Sequence, residues 1–251
     1  MTGALPWKTA WITGASTGIG RDIVLQLKAA GVKVAASARS PDKLATLGEG
    51  VLTVPLDVTD AAACKAAFER VESELGPVDL VVFGAGTYAP VAADRIDPAL
   101  FAHTMTTNYM GVVNCLAAVA PRMTARGAGQ ISWIASVAGF MGLPKAAAYG
   151  PTKAALINLA ECLEPEMKLK GVTISVINPG FVATPLTAQN DFEMPFLMQP
   201  DEAARRTIAG LAARRFEIAY PWRFVAILRA LRALPYPLFF RLIARFVLKA
   251  K

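Results

Sequence analysis

The chain has 251 residues, of which 54% are hydrophobic and only 18% are charged, and this composition excludes an intrinsically disordered chain. The formal net charge of +7 is concentrated, because residues 205–251 carry eleven Lys/Arg and one acid whereas residues 1–204 sum to −3. A basic tail on a slightly acidic body argues against a general nucleic-acid-binding surface. It favours a local contact with anionic lipid or with an acidic partner.

Cysteine usage and hydropathy indicate where the protein resides. The three cysteines, Cys64, Cys115 and Cys162, are far apart and lack metal-ligand spacing, so we interpret them as core thiols in a reducing compartment and expect no metal site. The apolar stretch at the N-terminus is short and is interrupted by Pro6 and Lys8, which does not fit a secretory signal. No apolar run reaches the roughly 18 residues of a transmembrane helix. We therefore predict a cytoplasmic protein, with peripheral contact at the inner face of a membrane left open by the basic tail.

Apolar, β-rich runs alternate with longer helical stretches along the chain. Strands that are apolar throughout are buried on both faces, which is typical of a parallel sheet covered by helices. The alternation predicts an α/β fold with a single Rossmann-type, doubly wound parallel sheet. In chain order we expect strand Thr9–Thr13, helix Ile19–Ala30, strands Val32–Ser37 and Val51–Leu56, helix Ala61–Leu75, strand Val78–Phe83, helix Pro98–Ala125, strand Gln130–Ile134, helix Gly150–Lys168 and strand Val172–Ile177.

A glycine-rich turn follows the first predicted strand. It carries the spacing G-x-x-x-G-x-G within Thr13–Gly20 and leads into a helix. Glycines let a backbone turn tightly and approach a pyrophosphate, and a helix N-terminus offers it unpaired N–H groups. The alternative is an ordinary glycine-rich connection between a strand and a helix. We predict a dinucleotide site formed here by Gly14, Ser16, Thr17, Gly18, Ile19 and Gly20.

The end of the second predicted strand bears on which dinucleotide is bound. Rossmann units that prefer NAD usually place an acid there for the ribose 2′-hydroxyl, but no acid occurs between Ala36 and Ser40. Arg39 can instead pair with a 2′-phosphate, with Ser37 and Ser40 as additional hydroxyl donors. A solvated Arg39 is the alternative. This pattern favours NADP(H).

Tyr149 and Lys153 are four residues apart near the start of a predicted helix, so their side chains share one face. A free tyrosine has a pKa of about 10, and we expect the nearby ammonium to lower it. Tyr149 can then act as a general acid or base, with the Ser136 hydroxyl bonding the same reacting oxygen. This spacing alone is common on helix surfaces, and it gains significance from the glycine turn upstream.

On these residues the chain resembles the short-chain dehydrogenase/reductase family. The resemblance implies hydride transfer between a nicotinamide and a carbonyl or alcohol carbon. The matching features, in the order of the family, are Thr13–Gly20, Asp57-Val58, Gly84-Ala85-Gly86, Asn108, Ser136, Tyr149, Lys153, and Asn178-Pro179-Gly180 with Thr184.

The resemblance also implies individual roles. Asp57 would bind the adenine amino group beside Val58, and Asn108 would support a proton relay through water to Lys153, which also bonds the nicotinamide ribose. Gly84 stands where the family commonly has Asn in Asn-Ala-Gly, so we expect a modest structural adjustment there. The remaining residues expected to bind the cofactor are Gly84, Ala85, Gly86, Pro179, Gly180, Val182 and Thr184, together with Tyr149 and Lys153.

Two prolines constrain the helix that carries Tyr149. Pro151 lies between Tyr149 and Lys153 and is compatible with a helix only in its first turn. Pro165 lies late in the same predicted helix and predicts a kink or an early end there.

The segment after Thr184 commonly covers the substrate in this family. Its apolar side chains would form an adaptable wall for a hydrophobic substrate, or would pack the segment onto the body. They are Phe192, Met194, Phe196, Leu197 and Met198.

We interpret residues 1–219 as the catalytic domain and residues 220–251 as a basic, amphipathic helical extension. The extension contains two predicted helices, Pro221–Leu234 and Leu238–Lys251, and the second presents Arg241, Arg245 and Lys249 at four-residue spacing. Each helix is too short to span a bilayer. A membrane-surface helix pair and an apolar lid or subunit contact are equally compatible with this pattern.

Together these features predict an NADP(H)-dependent oxidoreductase acting on a carbonyl or secondary alcohol of a small hydrophobic, lipid-like molecule, with Asn108, Ser136, Tyr149 and Lys153 as its catalytic residues. The alternative is a non-catalytic, dinucleotide-sensing, membrane-associated protein on the same fold, which the complete set of four residues disfavours. The resemblance also implies a homodimer or homotetramer formed through the long helices that bear Asn108 and Tyr149. We expect no nucleic-acid partner.

Overall fold

The structure is a computed structural model of the 251-residue chain, and it describes residues 4–248. Lys249, the last residue of the predicted basic stripe, lies outside the described residues.

A parallel sheet of seven strands forms the centre of the fold, in the order β3-β2-β1-β4-β5-β6-β7. The predicted doubly wound α/β class is therefore confirmed, and each predicted strand is present with its boundaries moved by at most two residues. The sequence analysis did not predict β7, which pairs with the end of β6. The strands are β1 (Thr9–Thr13), β2 (Lys33–Ala38), β3 (Val51–Pro55), β4 (Leu80–Phe83), β5 (Gly129–Ile134), β6 (Val172–Pro179) and β7 (Glu217–Tyr220).

Helices cover both faces of this sheet. One face packs against α1 (Gly18–Ala29), α2 (Pro41–Ala45) and α7 (Pro200–Ala212). The other packs against α3 (Ala61–Leu75), α5 (Gly111–Arg126) and α6 (Gly150–Leu169). The helix predicted over Pro98–Ala125 is divided, since α4 (Pro98–Met105) passes through a π-helical turn, Thr106–Met110, into α5.

The two cores follow from the alternation of side chains along each strand. Trp11 and Ile12 are consecutive residues of β1, and each packs into a different core because successive side chains of a strand point to opposite faces. Trp11 stacks against Phe68 of α3, with ring centroids 5.6 Å apart. Ile12 lies with Ile23 and Leu27 of α1. All five of these side chains are buried, which fixes the strand between two helical layers.

The strand order places a switch between β1 and β4, because the chain leaves β1 toward β2 on one side and returns to β4 on the other. In doubly wound folds the carboxyl ends of the strands at such a switch form a ligand crevice. The ends of β1 and β4 are Thr13 and Phe83, and the glycine turn and Gly84 follow them directly.

The two prolines of α6 have different outcomes. Pro151 occupies the first turn, as predicted. Of the two alternatives predicted at Pro165, an early end does not occur, because α6 continues to Leu169, and a kink remains a prediction. Tertiary packing after the proline, including the buried Met167, offsets the backbone hydrogen bond that Pro165 cannot donate.

Two further helices, α8 (Trp222–Arg232) and α9 (Tyr236–Phe246), follow β7, and they confirm the predicted helical extension. Their inner faces join a third apolar cluster that includes Val137 and Met141, which follow β5. Over residues 4–248, no helix has both the length and the hydropathy needed to cross a membrane. The division of the chain after residue 219 remains a prediction.

Candidate active site

A cleft of about 340 Å³ opens at the carboxyl ends of the strands, around the switch between β1 and β4. Every residue predicted to bind the cofactor lines it, and so does Ser136. Asn108, by contrast, is buried behind the cleft. Residues far apart in the sequence, from Gly14 to Thr184, are thus brought to one surface.

The glycine turn approaches its neighbours so closely that larger residues are excluded. A Cβ built on Gly14 (φ +69°) would lie 2.4 Å from the carbonyl carbon of Gly84, and one on Gly18 (φ +56°) would lie 2.7 Å from Cγ2 of Thr184. Thr17 precedes α1 without capping it through its side chain, and the first turn of α1 holds no acid. The N–H groups and positive dipole of α1 therefore remain available to an anion.

The segment Gly84–Gly86 departs from the commonly found Asn-Ala-Gly and is held by its backbone. The N–H of Gly84 donates to the carbonyl oxygen of Thr13 at 3.1 Å. A Cβ on Gly84 would lie 3.0 Å from that oxygen and from Cδ1 of Ile134. Whether this segment is adjusted relative to the family remains a prediction.

The end of β2 adds cations to the cleft. Arg39 and Ser40 line it as predicted residues, and Lys43 of α2 lines it as well. Lys43 was missed by the sequence analysis, although its spacing of four residues from Arg39 was a usable signal once a short helix begins at Pro41. The Ser37 hydroxyl, which we expected to be an additional donor, is buried and accepts a hydrogen bond from Trp11 Nε1 at 2.9 Å.

Asp57 lies across the cleft from these cations with its carboxylate oriented by a turn. Its Oδ1 accepts hydrogen bonds from the N–H of Thr59 at 2.9 Å and from Thr59 Oγ1 at 2.8 Å. These bonds, and to a smaller extent the charge of Arg39, lower the pKa of Asp57 below its usual range. The carboxylate is therefore ionised at neutral pH and can accept further hydrogen bonds.

Ser136, Tyr149 and Lys153 form a polar group at the inner end of the cleft. The Ser136 hydroxyl lies beside the Tyr149 hydroxyl and can stabilise its phenolate form. It donates to the carbonyl oxygen of Pro179 at 3.4 Å, and its Oγ accepts from the N–H of Ala138 at 3.1 Å. Lys153 Nζ donates to the carbonyl oxygen of Ile134 at 2.7 Å and lies 5.3 Å from the centre of the Tyr149 ring. The turn after β5 and the first turn of α6 thus hold the three side chains together.

Burial controls the protonation of this group. It raises the pKa of Tyr149 to about 12, although the hydrogen bond from Ser136 opposes the rise. It lowers the pKa of Lys153 to about 7. The expectation that Lys153 lowers the pKa of Tyr149 is wrong for this arrangement, because burial is the largest influence on both groups and Nζ is bonded to Ile134.

Asn108 lies in the π-helical turn, and its side-chain amide is fully engaged. Its Oδ1 accepts from the N–H of Thr87 at 2.7 Å, while Nδ2 donates to Thr87 O at 3.0 Å and to Thr152 Oγ1 at 3.1 Å. A Cβ on Gly86 would lie 3.3 Å from Asn108 Oδ1 and 3.9 Å from Lys153 Nζ. Asn108 therefore ties the loop after β4 to α6, next to Lys153, and its part in a proton relay remains a prediction.

The segment predicted to cover the substrate, which we call the lid (residues 185–198), is fixed at several points. Asn190 Oδ1 accepts from the Tyr88 hydroxyl at 2.8 Å, and the Tyr88 ring packs edge-on against Tyr149. Asp191 forms an ion pair with Lys145 at 2.6 Å. Met198 is buried in the core, Phe192 packs against Phe181 and Phe196 packs against Phe224. None of the five apolar lid residues predicted above lines the cleft, so their role as a substrate wall remains a prediction.

Comparison with known proteins agrees with this geometry. The family model described as short chain dehydrogenase matches residues 8–194. An uncharacterized oxidoreductase of Myxococcus xanthus is 37% identical over 242 residues, which cover 94% of this chain and 96% of that protein. An acetoacetyl-CoA reductase of Rhizobium meliloti is 36% identical over 180 residues, which cover 70% and 75%.

Two solved structures superpose closely on the fold. A short chain dehydrogenase from Burkholderia cenocepacia in complex with NADP has a TM-score of 0.83 at 25% identity, and the match covers 93% of this chain and 96% of that one. A short chain dehydrogenase/reductase from Burkholderia phymatum in complex with NAD has the same score and identity, with coverage of 91% and 94%. The chain is a member of the short-chain dehydrogenase/reductase family, and it is an oxidoreductase of that family.

Proposed function

We propose that the protein transfers a hydride between NADP(H) and the carbonyl or secondary alcohol of a small hydrophobic molecule. The observation that carries this proposal is the meeting of Ser136, Tyr149 and Lys153 in the same cleft as the glycine turn. The reductases among its relatives support the reaction class.

The residues of the cleft fit a nicotinamide dinucleotide. The uncapped N-terminus of α1 suits a pyrophosphate, and the close approach of Gly14 and Gly18 to their neighbours leaves the turn's outer side open to it. Thr107 borders the cleft, and its buried Oγ1 has no hydrogen-bond partner among the described residues. When bound, the dinucleotide supplies or accepts the hydride.

In carbonyl reduction, the hydroxyls of Ser136 and Tyr149 bind the substrate oxygen and stabilise the negative charge that develops on it. Tyr149 is neutral at pH 7, because its pKa is raised to about 12, and it therefore holds the proton that the oxygen requires. Lys153 is positioned beside Tyr149 by its hydrogen bond to Ile134, and it supplies positive charge when protonated. Asn108 positions the loop around Lys153.

The substrate is proposed to be hydrophobic because the lid presents mainly apolar side chains. Pro185 and Leu186 of the lid line the cleft, and the Tyr88 ring lies against Tyr149. Phe192, Phe196 and Leu197 are partly exposed elsewhere on the lid. Such a surface favours an apolar group next to the reacting carbon over a sugar or a nucleotide.

Turnover separates this proposal from a dinucleotide-sensing protein without activity. The full chain is incubated with NADPH and a panel of hydrophobic ketones, and loss of NADPH absorbance is recorded. We expect turnover that depends on the ketone. Tight NADPH binding without turnover of any ketone would favour the sensing protein instead.

Arg39 is proposed to select NADP(H), with support from Lys43, through the 2′-phosphate. We expect kcat/KM to be higher with NADPH than with NADH. Because charge-assisted hydrogen bonds contribute about 1.5–3 kcal/mol, Arg39→Asp should lower kcat/KM for NADPH roughly ten- to a hundredfold and reduce the preference. Lys65→Asp, at an exposed position of α3 that does not line the cleft, is the control. A parent enzyme that prefers NADH would contradict this assignment.

We also propose that the chain forms a homodimer or homotetramer through α5 and α6, as the family resemblance implies. Met110, at the end of the π-helical turn that precedes α5, is among the exposed large apolar residues. Light scattering coupled to gel filtration tests this proposal, and a monomer mass at micromolar concentration would refute it.

A further inference from the structure

We propose that the outer side of α8 and α9 is a docking surface for an anionic lipid bilayer. We call it the tail surface, and its principal residues are Trp222, Arg223, Ile227, Phe240, Arg241 and Leu248. The proposal is independent of the enzymatic function, since it concerns only this face of the molecule.

Apolar side chains are unusually exposed on these helices. Trp222 is 68% exposed, Phe240 59% and Leu248 57%. Residues 222–248 are about a tenth of the chain, yet they contribute half of the exposed large hydrophobic residues found in the described part. A surface on which exposed apolar side chains are concentrated to this degree is typical of an interaction site.

The inner side of the same helices is already packed. Phe224, Leu228, Phe239 and Ile243 are buried in the cluster that also contains Met141. The helices are therefore held on the body while their outer side faces away from it, and docking requires no unfolding of the extension.

The charge of the segment selects an anionic partner. No Asp or Glu occurs from Ile218 to the end of the sequence, whereas seven Lys/Arg do. Arg229 has an internal role, because it pairs with Glu217 and lies over the Phe140 ring. Arg223 and Arg241 form no ion pair with a described acid.

Arginine and aromatic side chains lie side by side on α8 and α9, as docking on a bilayer requires. The Arg223 guanidinium lies 5.5 Å from the centre of the Trp222 ring, and that of Arg232 lies 5.9 Å from the centre of the Tyr236 ring. Aromatic rings settle at the headgroup level of a membrane, and the long arginine stems keep the charges at the phosphates. Each pair thus combines an apolar anchor with a cation.

A second copy of the chain fits this surface less well. In a symmetric dimer each tail surface would face its own copy, which would place arginines opposite arginines without a neutralising acid. A bilayer containing acidic lipids neutralises them.

An apolar groove of about 910 Å³ opens beside α9, next to the tail surface. It lies between α9 and the turn after β5, and Met141, Leu143, Phe240 and Leu248 contribute to its walls. Two of these residues, Phe240 and Leu248, are also exposed on the tail surface. The groove therefore offers room for an apolar lipid chain at the surface that would meet the membrane.

Binding is tested with the full chain by flotation with vesicles of phosphatidylcholine alone or mixed in equal amounts with phosphatidylglycerol. We expect flotation with the mixed vesicles that weakens as salt is raised, because exposed charges are screened beyond about 10 Å at 0.1 M salt. Flotation equal with both vesicle types, or absent with the mixed ones at low salt, would overturn the proposal.

Trp222 supplies a local readout. Trp7, Trp11 and Trp133 are buried, so Trp222 is the exposed member of the four tryptophans. We expect mixed vesicles to shift the Trp222 emission to shorter wavelength and to protect it from quenching by acrylamide. Trp222→Phe should lose this change while retaining flotation. An unchanged spectrum of the parent during flotation would contradict docking through this surface.

The charge is tested by Arg223→Gln combined with Arg241→Gln. Since a basic residue near an anionic surface contributes roughly fivefold to partitioning, the double variant should bind mixed vesicles about 25-fold more weakly. The matched control removes two cations from α3, Lys65→Gln with Arg70→Gln, and should bind like the parent. Equal losses in both variants, or a tail variant that changes only the oligomer mass, would overturn the proposal.

Discussion

Burial of Tyr149 and Lys153 moves their two pKa values in opposite directions, to about 12 and about 7. A neutral phenol and a lysine that titrates near neutrality result, instead of a phenolate paired with a permanent ammonium. The spacing of the two residues in the sequence specified a shared helix face but gave no measure of desolvation. A neutral Tyr149 can donate a proton to a substrate oxygen, as the proposed carbonyl reduction requires.

The lowered pKa of Lys153 predicts how the reduction depends on pH. Lys153 carries its charge below pH 7 and loses it as the pH rises, whereas Tyr149 stays protonated until about pH 12. With both reactants saturating, kcat for reduction should therefore be constant below pH 7 and fall by up to about tenfold per pH unit above it. A kcat that stays level well above pH 8 would show that the charge of Lys153 is not required.

Helix α8 and the lid are joined by aromatic contacts. Phe224 of α8 packs against Phe181, with ring centroids 5.6 Å apart, and against Phe196, with centroids 5.8 Å apart. Phe181 in turn contacts Phe192. The helical extension thus supports the lid through contacts additional to those of Tyr88 and Lys145. Sequence analysis identified Phe192 and Phe196 but not Phe181 or Phe224, and it had no means of pairing residues of the lid with a helix some thirty residues later.

Phe224→Ala should loosen the lid without altering the polar group at Tyr149. We expect KM for a hydrophobic ketone to rise several-fold while kcat changes less, because the lid contributes to substrate binding in the ground state. Loss of a buried phenylalanine also costs about 3–5 kcal/mol of stability, so the folded fraction is measured first. Leu228→Ala removes a buried residue of the same helix outside the aromatic contacts. An equal rise of KM in both variants would attribute the effect to general destabilisation.

At the scale of the whole molecule, most of the sheet was predictable because its strands are rich in apolar residues and are bounded by turns or helices. Helix α3 was predicted with its observed bounds, Ala61–Leu75. Strand β7 escaped prediction because Glu217–Tyr220 is short and alternates, and it is a strand chiefly through its pairing with β6. The cleft residues were predictable from their motifs, whereas Lys43 and the engagement of Ser37 by Trp11 depend on how β1, β2 and α2 pack.

The whole-molecule arrangement also separates the cleft from the proposed docking surface. The cleft lies at the carboxyl ends of the strands, and the helices of the extension pack beside it through Val137, Met141 and Phe181. Membrane docking through the outer side of α8 and α9 would therefore leave the inner contacts with the lid in place. This division explains how one basic extension can be both a support for the lid and a binding surface.

The most direct test of the proposed chemistry is the activity of Tyr149→Phe. The substitution keeps the ring and removes the hydroxyl that lies beside Ser136, so we expect NADPH affinity to stay within a few-fold of the parent while kcat for ketone reduction falls by about 10²–10⁴. Tyr236→Phe, which removes a hydroxyl on α9, should leave kcat unchanged. A Tyr149→Phe enzyme with kcat near that of the parent would contradict the assignment of Tyr149 as the proton donor.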